Sequence, residues 1–388
     1  MKRLFWALAA ALMMFAPAAL AQTAQEITDT CTLSAVGKKT LGRMTDGQYQ
    51  TYWASSSGSY AYVEIEAEES VGGLYVQFYE DIAALEVQTT DDAGAWRTVA
   101  VSGGSFLNEY IALDAGTETV RIRPKDGKGR LFIAELHVFG EGDAPDWVQQ
   151  WEAPLDKADL LALAAHPDDE LLFLGGTIPY YAGEMGKAVQ VAYLVPTMPY
   201  RRLELLDGLW LCGVRNYPIL GHFPDQFQLT LKGMYAQKGW SRESVYRFVA
   251  EVYRACRPDV VVTQDVNGEY GHGAHRAAAD AAQAAIALAA DENDQEKMTH
   301  SEPWQVKKLY LHLYEQNPVK MDWRKPLAAF GGQTAFDLTS RAFECHISQQ
   351  RTDYHVEDFG PYDNSKFGLA YSAVGEDVQK DDFFENLE

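Results

Sequence analysis

The chain has 388 residues and a formal net charge of -22 at pH 7, and hydrophobic residues make up 47% of it. So acidic a protein excludes nucleic acids and anionic membrane surfaces as its main partners, because both are negatively charged themselves. The length exceeds what one hydrophobic core usually supports, so we expect two domains. The four cysteines are widely spaced and form no Cys-x-x-Cys pair, so they predict neither a cysteine zinc site nor a disulfide scaffold.

The first 21 residues have the pattern of a secretory signal peptide. Lys2 and Arg3 precede an apolar stretch that ends in Ala19-Leu20-Ala21, with small residues at both positions that signal peptidase requires. No later run of about 18 apolar residues follows, so we expect no integral membrane segment after cleavage. The sequence therefore predicts a bacterial Sec substrate that is cleaved after Ala21 and is secreted or periplasmic.

Residues 22–146 are predicted to form a β-sandwich domain. Short segments with alternating apolar and polar residues are separated by turn residues, and no helical stretch lies between them, which is typical of antiparallel sandwiches. The alternating segments are 62–66, 74–78, 85–89, 120–123 and 136–138.

The same region resembles the discoidin-like, galactose-binding-type jelly roll. The resemblance rests on the order and spacing of Thr45-Asp46-Gly47, Tyr52-Trp53, Gly94-Ala95-Trp96 and the closing segment 133–140. It implies a carbohydrate-binding module in which exposed aromatic side chains form the platform. The candidates are Tyr49, Tyr52, Trp53 and Trp96, although a small sandwich needs large apolar side chains in its core, and both tryptophans suit that role equally well.

Residues 147–388 are predicted to form an α/β domain, after a junction at 140–154 that is rich in Gly, Pro and Trp. Continuous apolar runs suit strands that are buried on both faces, and strands alternating with helices predict a mostly parallel sheet. The expected strands are 160–165, 189–195 and 259–263, and the expected helices are 170–185, 203–212, 241–255 and 274–290. The segment from Phe330 lacks clean periodicity, and we treat the residues from about 350 as a C-terminal extension.

Two motifs directly follow predicted strands of this domain, at the edge where such sheets bind ligands. They are Ala165-His166-Pro167-Asp168-Asp169-Glu170 and Tyr270-Gly271-His272-Gly273-Ala274-His275. Two imidazoles and one carboxylate suit zinc, and three protein ligands leave a coordination position for water or substrate, as catalytic sites do. Iron(II) also suits this ligand set. The second adjacent carboxylate is free to accept a proton, so the set predicts metal-assisted hydrolysis.

Each feature also has a purely structural interpretation. His-Pro-Asp-Asp after a strand is typical of a turn that caps a helix. Glu170 suits a charge in the first turn of a helix, and Arg201 could pair with Glu204 along a helix. His312 matches no part of the pattern. The two motifs at neighbouring strand ends favour the metal site over these alternatives.

Residues 157–350 resemble the LmbE-like, or PIG-L, zinc deacetylase family (GlcNAc-phosphatidylinositol deacetylase-like), whose fold is a Rossmann-like sheet. Besides the two motifs, the resemblance rests on Arg201-x-x-Glu204 leading to Cys212-Gly213-Val214, Phe223-Pro224-Asp225 and His346-x-Ser348-Gln349. One departure is that Gly273-Ala274 stand where the family usually has Pro-Asp.

The resemblance implies a role for each site residue. The implied zinc ligands are His166, Asp169 and His275. Asp168 would be the general base, and His272 would stabilise the oxyanion or protonate the leaving amine. Tyr270 would help to polarise the carbonyl, and Arg201 would face the substrate. His346 would line the site without taking part in the chemistry.

We therefore predict a secreted zinc-dependent N-deacetylase that hydrolyses the acetamide of an N-acetylated amino sugar of the N-acetylglucosamine type, in a glycan or glycoconjugate. Two alternatives stay open at this point: a zinc hydrolase of another amide, and a non-catalytic carbohydrate-binding or adhesion protein. The presence of Asp168 beside the ligand set disfavours the second alternative, because a binding protein needs no general base.

Overall fold

The computed structural model describes residues 22–36, 40–80, 84–114, 117–125, 127, 129–196, 198–293, 299, 302–350 and 353–387. The predicted signal peptide lies outside the described residues. Within these ranges, no helix combines the length and apolar character needed to cross a membrane.

Two antiparallel sheets form the N-terminal part of the described chain, as the alternating segments predict. Their strands are β1 (Thr32–Ser34), β2 (Trp53–Ala54), β3 (Val63–Glu66), β4 (Gly73–Phe78), β5 (Leu85–Thr90), β6 (Trp96–Val101), β7 (Asn108–Ala112), β8 (Thr119–Pro124) and β9 (Phe132–Phe139). One sheet has the order β1-β3-β8-β5-β6 and the other β2-β9-β4-β7. The predicted β-sandwich is confirmed.

The sandwich core explains which strands the sequence reveals. Val63 and Ile65 of β3 are fully buried and alternate with outward-facing glutamates, so this strand has a clear two-residue period. Strand β6 forms a sheet edge and is largely exposed, so it carries no such period and escaped prediction. Trp53 is fully buried in the core and offers no exposed platform. Trp96 lies under the Arg121 guanidinium, 3.9 Å from the ring centroid.

A seven-stranded sheet forms the second part, in the order β12-β11-β10-β13-β14-β16-β15. Its strands are β10 (Leu160–Ala164), β11 (Val189–Tyr193), β12 (Ile219–Leu220), β13 (Val260–Thr263), β14 (Lys308–His312), β15 (Pro318–Lys320) and β16 (Lys366–Ser372). The first five strands in this order are parallel, and β16 joins β14 and β15 in antiparallel fashion. The predicted mostly parallel α/β sheet is confirmed, and β16 shows that the C-terminal tail completes it.

Helices cover both faces of this sheet. The α-helices among the described residues are α1 (Asp169–Leu172), α2 (Pro199–Leu211), α3 (Leu231–Tyr235), α4 (Arg242–Cys256), α5 (Gly273–Ala290) and α6 (Ala335–Glu344). The predicted helical segment 170–185 is helical but interrupted. After the single turn of α1, the helix is broken at residues 173–176, where Gly175 takes a positive φ of 59°; helical structure resumes at Thr177 and continues as a π-helix at Pro179–Glu184.

The two faces of β10 bury two different apolar clusters. Leu161 and Leu163 face the cluster that includes α4 and α5. Leu160, Ala162 and Ala164 face a second cluster, which includes apolar residues of α1, α2 and α6 and continues into the sandwich. Apolar packing therefore joins the sandwich to one face of the α/β sheet.

Candidate metal centre and active site

Both sequence motifs lie at the carboxyl edge of the α/β sheet. Strands β10 and β13 are adjacent and parallel, with Leu160 opposite Val260 and Leu163 opposite Thr263. The chain leaves β10 directly into the first motif, and it leaves β13 into the loop that carries the second. The two motifs, about a hundred residues apart in the sequence, therefore meet at one point of the fold.

Three side chains converge there with the geometry of a metal site. Asp169 Oδ2 lies 3.0 Å from His166 Nδ1 and 3.3 Å from His275 Nε2. Ligand atoms of a tetrahedral zinc with bonds of about 2.0–2.1 Å are about 3.3 Å apart. All three residues are buried. Two of the distances between the predicted ligands therefore match a tetrahedral zinc site, and both are made by Oδ2 of Asp169. The three buried histidines His166, His272 and His275 form a second group that could hold a metal.

A buried carboxylate holds His275 in the tautomer that a metal requires. Glu269 lies 2.8 Å from Nδ1 of His275 and 2.6 Å from Nδ1 of His312. Burial alone would raise the pKa of Glu269, but the hydrogen bonds and charges of the two histidines lower it to about 2. The ionised carboxylate only accepts, so His275 donates from Nδ1 and presents the lone pair of Nε2 to the metal position.

Asp168 is the candidate base, and Arg201 holds it. Arg201 Nη2 lies 3.1 Å from Asp168 Oδ2 and donates to the carbonyl oxygen of Pro167 at 2.8 Å. Burial raises the pKa of Asp168 more than Arg201 lowers it, so the pKa rises to about 7. A carboxylate with a pKa near the working pH is suited to general base catalysis. The backbone of Asp168 has an unusual φ of 110°, a strain of the kind that collects at functional sites.

His272 lies next to the ligands, since its ring, His166 and His275 have nitrogen atoms within 4.8 Å of one another. Its Nδ1 accepts a hydrogen bond from the backbone N–H of Ala274 at 3.2 Å, at the start of α5. The proton of the neutral ring is therefore on Nε2. Burial and the neighbouring histidines lower the pKa of His272 to about 3, so the ring is neutral and can donate from Nε2. This protonated nitrogen favours a hydrogen-bonding role over metal ligation.

Tyr270 also contacts one of the predicted ligands. Its hydroxyl lies 3.3 Å from His275 Nε2, and its backbone takes a left-handed conformation with a φ of 43°. Burial raises the pKa of Tyr270 well above its usual range, so the hydroxyl stays protonated and can donate a hydrogen bond.

Sequence comparisons show which family the chain belongs to. The profile of the PIG-L family, described as GlcNAc-PI de-N-acetylase, matches residues 161–286. A protein from Frankia casuarinae, named 1D-myo-inositol 2-acetamido-2-deoxy-alpha-D-glucopyranoside deacetylase 1, is 30% identical over 221 residues, which cover 47% of this chain and 68% of that protein. The chain belongs to the PIG-L family.

Two further proteins are similar to parts of this chain. A protein of Kineococcus radiotolerans, named 1D-myo-inositol 2-acetamido-2-deoxy-alpha-D-glucopyranoside deacetylase, is 30% identical over 239 residues, and the chain spans 65% of its length. The match covers 50% of this chain, so half of the chain lies outside it. The solved N,N'-diacetylchitobiose deacetylase from Pyrococcus horikoshii is 20% identical, with a TM-score of 0.39 over 53% of this chain and 75% of that one.

The departure from the usual PIG-L motif has a structural reason. The backbone N–H of Gly273 donates to the carbonyl oxygen of Gln228 at 2.5 Å. A Cβ on Gly273 would lie 2.9 Å from that oxygen and 3.1 Å from the carbonyl oxygen of Thr230. Proline would lose the hydrogen bond and collide with the loop. Glycine at this position lets the 228–230 loop pack directly against the start of α5.

Two further residues of the predicted motifs, Glu170 and His346, are fully buried. Glu170 lies in the first turn of α1, as predicted, and accepts a hydrogen bond from the backbone N–H of Asp168 at 3.0 Å. Burial and the Asp168 charge raise the pKa of Glu170 to about 8. His346 is fully buried with Nε2 3.9 Å from Glu170 Oε1, behind the site, which agrees with a structural role.

The sequence predicts neither Glu269 nor His312 as a site residue, but Glu269 hydrogen-bonds to His275 and His312 to Glu269. His312 ends β14, the parallel strand next to β13, and is fully buried against Glu269. A histidine at the carboxyl end of another parallel strand was the signal that could have found it. Glu269 directly precedes Tyr270 in the sequence, but nothing in its local pattern distinguishes it from a surface charge. Glu204, the suggested helix partner of Arg201, accepts instead from the backbone and hydroxyl of Ser348.

Proposed function

We propose that this protein is a zinc-dependent N-deacetylase that hydrolyses the acetamide of an N-acetylated amino sugar of the N-acetylglucosamine type, in a glycan or glycoconjugate. The observation that carries the proposal is that Asp169 Oδ2 lies 3.0 Å from a nitrogen of His166 and 3.3 Å from a nitrogen of His275. The neighbouring Asp168 is not one of the proposed metal ligands and can therefore accept a proton. The names of the relatives, deacetylases of an acetamido sugar, support the substrate class.

The residues around the ligands divide the chemistry among them. Zinc, when bound, supplies a Lewis acid that polarises a carbonyl and lowers the pKa of water. Asp168 accepts the proton of the attacking water, and Arg201 keeps its carboxylate in place. His272 Nε2 and the Tyr270 hydroxyl donate hydrogen bonds to the charge that develops on the acetyl oxygen.

As part of this proposal, Asp168 also returns the proton to the nitrogen of the leaving amine. The leaving amine needs a proton as the C–N bond breaks, and the donor must carry one at that moment. His272 has a pKa of about 3 and holds no second proton near neutral pH. Asp168, once it has taken the proton of water, has a pKa of about 7 and can release it to the nitrogen.

The rim of the site is aromatic, as a sugar ring requires. Phe227 is 65% exposed, and its ring centroid lies 5.2 Å from that of His272. The ring of Tyr354 lies 5.0 Å from that of Tyr270. Faces of this kind can cover the apolar side of a pyranose while the polar groups hold its amide. The signal-peptide pattern of residues 1–21 supports a substrate glycan located outside the cytoplasm.

Metal content and acetate release test the proposal directly. We expect purified protein to carry close to one divalent metal per chain by mass spectrometry and to release acetate from N-acetylglucosamine oligomers. His166→Ala and His275→Ala should lose both properties, whereas the exposed His355→Ala should keep both. Wild-type protein that stays metal-free after incubation with zinc would contradict the metal site. Metal binding with hydrolysis only of other amides would contradict the substrate class and leave the metal site standing.

A further inference from the structure

A second cavity lies where the sandwich meets the α/β sheet. It has a volume of about 500 Å³, and its described lining includes none of the metal-site residues. The walls come from the sandwich, from the junction segment 140–154 and from the C-terminal half of α2 with the residues after it. This volume lies within the range of roughly 300–1,000 Å³ that is typical of small-molecule sites. We call it the junction cavity.

Part of the lining of the junction cavity consists of polar side chains that hydrogen-bond to one another. Asp207 accepts hydrogen bonds from the Tyr49 hydroxyl at 2.8 Å and from Gln149 Nε2 at 2.6 Å. Gln77 Nε2 donates to the Tyr49 hydroxyl at 3.1 Å. Gln149 Oε1 in turn accepts from Trp151 Nε1 at 2.9 Å. Asp207 retains lone pairs for further donors, because a carboxylate accepts about four hydrogen bonds.

A buried hydroxyl in the same lining lacks a partner. Tyr75 is 1% exposed and lines the cavity. Its hydroxyl lies near Asn108 and Gln149 but forms no hydrogen bond of ordinary geometry with the described residues. Buried polar atoms are rarely left unpaired in folded proteins, so this hydroxyl is available to a water molecule or to a hydroxyl group of a ligand.

The lining of the junction cavity also includes an exposed indole. Trp147 is 46% exposed although three aromatic rings fix its position. The ring centroids of His137, Phe139 and Tyr75 lie 5.1, 5.6 and 5.9 Å from its own. An indole held this way offers a flat apolar face at little entropic cost.

The charges of the cavity argue against an anionic ligand. Asp207 lies in the wall, and the one arginine of the described lining, Arg215, is already engaged. Its guanidinium lies 3.8 Å from the Trp210 ring centroid, and its Nη1 donates to the carbonyl oxygens of Trp210 and Val214, both at 2.9 Å. What remains is an aromatic face in the same lining as hydrogen-bond donors and acceptors. That combination suits a pyranose, whose C–H face is apolar and whose edge carries hydroxyl groups.

We propose that the junction cavity binds a neutral saccharide unit, with its C–H face on Trp147 and its hydroxyl groups on Asp207 and Tyr75. This site is separate from the metal centre. The proposal does not depend on the deacetylase function, because binding requires no turnover.

Fluorine NMR of the full chain labelled with 5-fluorotryptophan tests the proposal. The Trp147 resonance is assigned by its absence from Trp147→Phe. The probes are cellotetraose, which carries no acetamide and cannot be a deacetylase substrate, and chitotetraose, added to an Asp168→Asn variant. We expect the Trp147 resonance to shift saturably with at least one of these neutral tetrasaccharides. A Trp147 resonance that stays fixed at millimolar concentrations of both would overturn the proposal, as would a response to the cationic glucosamine tetramer alone.

Variants connect the shift to the cavity. We expect Trp147→Ala to weaken tetrasaccharide binding, measured by calorimetry, by at least about tenfold, the effect of losing a stacking aromatic side chain. Trp147→Phe should keep most of the affinity. Tyr60→Ala, at an aromatic residue that is 60% exposed and outside the cavity lining, should bind as the wild type does. Equal affinities of Trp147→Ala and wild type, with equal thermal unfolding midpoints, would refute the assignment.

Discussion

Asp168 and Asp169 are neighbours in the sequence, yet their surroundings drive their pKa values in opposite directions. Burial alone would raise the pKa of both carboxyl groups. For Asp169 the charges of His275 and His166 and the hydrogen bonds from His166 outweigh burial, so its pKa falls well below the usual range. For Asp168 burial and the charge of Asp169 outweigh the charges of Arg201 and His166, and its pKa rises to about 7. One side chain is therefore suited to hold a cation permanently and the other to exchange a proton.

Substitution of each aspartate by asparagine should separate these two roles. Asp168→Asn should keep zinc and fold but lose turnover by roughly two or more orders of magnitude, the usual effect of removing a general base. Asp169→Asn should weaken zinc affinity, because an amide is a poorer ligand than a carboxylate. Zinc affinity is measured by competition with a chelator, and turnover by acetate release. Zinc loss in Asp168→Asn with zinc retention in Asp169→Asn would reverse the assignment.

At the scale of elements, the site is built by three adjacent parallel strands. Strands β10, β13 and β14 end at one edge: His166 follows β10, His312 ends β14, and His275 lies in the first turn of α5, after the loop that follows β13. Glu269 connects the last two histidines through hydrogen bonds of 2.8 Å and 2.6 Å. The carboxylate thereby connects the predicted metal ligand of α5 to a buried histidine at the end of the neighbouring strand.

Removing the charge of Glu269 should weaken the metal site without removing a ligand. In Glu269→Gln the new side chain keeps its size but can present an N–H group to His275, so the imidazole is no longer held with Nε2 unprotonated. We expect zinc affinity to fall by about 10–100-fold, the usual effect of losing such a partner. Chelator competition measures it, with Glu302→Gln at an exposed position as the matched control. Unchanged affinity in Glu269→Gln would show that His275 is oriented by packing alone.

Elements with a strong period could be predicted from the sequence, and those whose form depends on distant contacts could not. Strand β10 and helix α5 lie close to their expected ranges because every residue in the one and a broad face of the other is buried. The expected helix 170–185 is interrupted near Gly176, which packs against Trp323 and Ala335, more than a hundred residues away in the sequence. A Cβ on Gly176 would lie 2.6 Å from the Cβ of Ala335. No local pattern contains that information.

The same division holds for the candidate site. The predicted ligands, the predicted base and the flanking histidine occur in two short motifs, so the sequence alone could indicate that they lie together; their roles stay predictions. The partners of these residues come from other strands and helices, as Arg201 on Asp168 and His312 on Glu269 show. The contacts of these partner side chains are defined only once the order of the strands is known. For this reason the sequence predicted a substrate-facing role for Arg201 and no role for His312. Substrate binding by Arg201 stays a prediction.

At the scale of the whole molecule, the sandwich and the α/β sheet are joined by polar as well as apolar contacts. Asp207 of α2 accepts from Tyr49 of the sandwich region and from Gln149 of the junction segment. Trp151 packs edge-on against Trp210 and Tyr217, with ring centroids 5.4 Å and 5.7 Å away. Helix α2 therefore carries Arg201 toward the metal site and Asp207 toward the sandwich.

The carboxyl group of Asp207 should make the stability of this arrangement depend on pH. Burial raises its pKa to about 7, although the hydrogen bonds from Tyr49 and Gln149 partly oppose this. In the unfolded chain the pKa is about 3.9, so the folded state binds the proton more tightly between these values. The stabilising contribution is therefore complete below about pH 4 and is lost as the pH rises through about 7.

Urea unfolding of the metal-free protein between about pH 4 and 8 measures this effect. We expect Asp207 to contribute a fall in the free energy of unfolding of at most about 1.4 kcal/mol per pH unit as the pH rises, less where water enters the junction cavity. Asp207→Asn has no proton to gain or lose at this position, so its profile should fall less steeply toward pH 7 than that of the wild type. Asp92→Asn, at an exposed position of the sandwich, should keep the wild-type slope. If Asp207→Asn and wild type show parallel profiles over this range, the proton of Asp207 does not stabilise the contact between the two parts of the molecule.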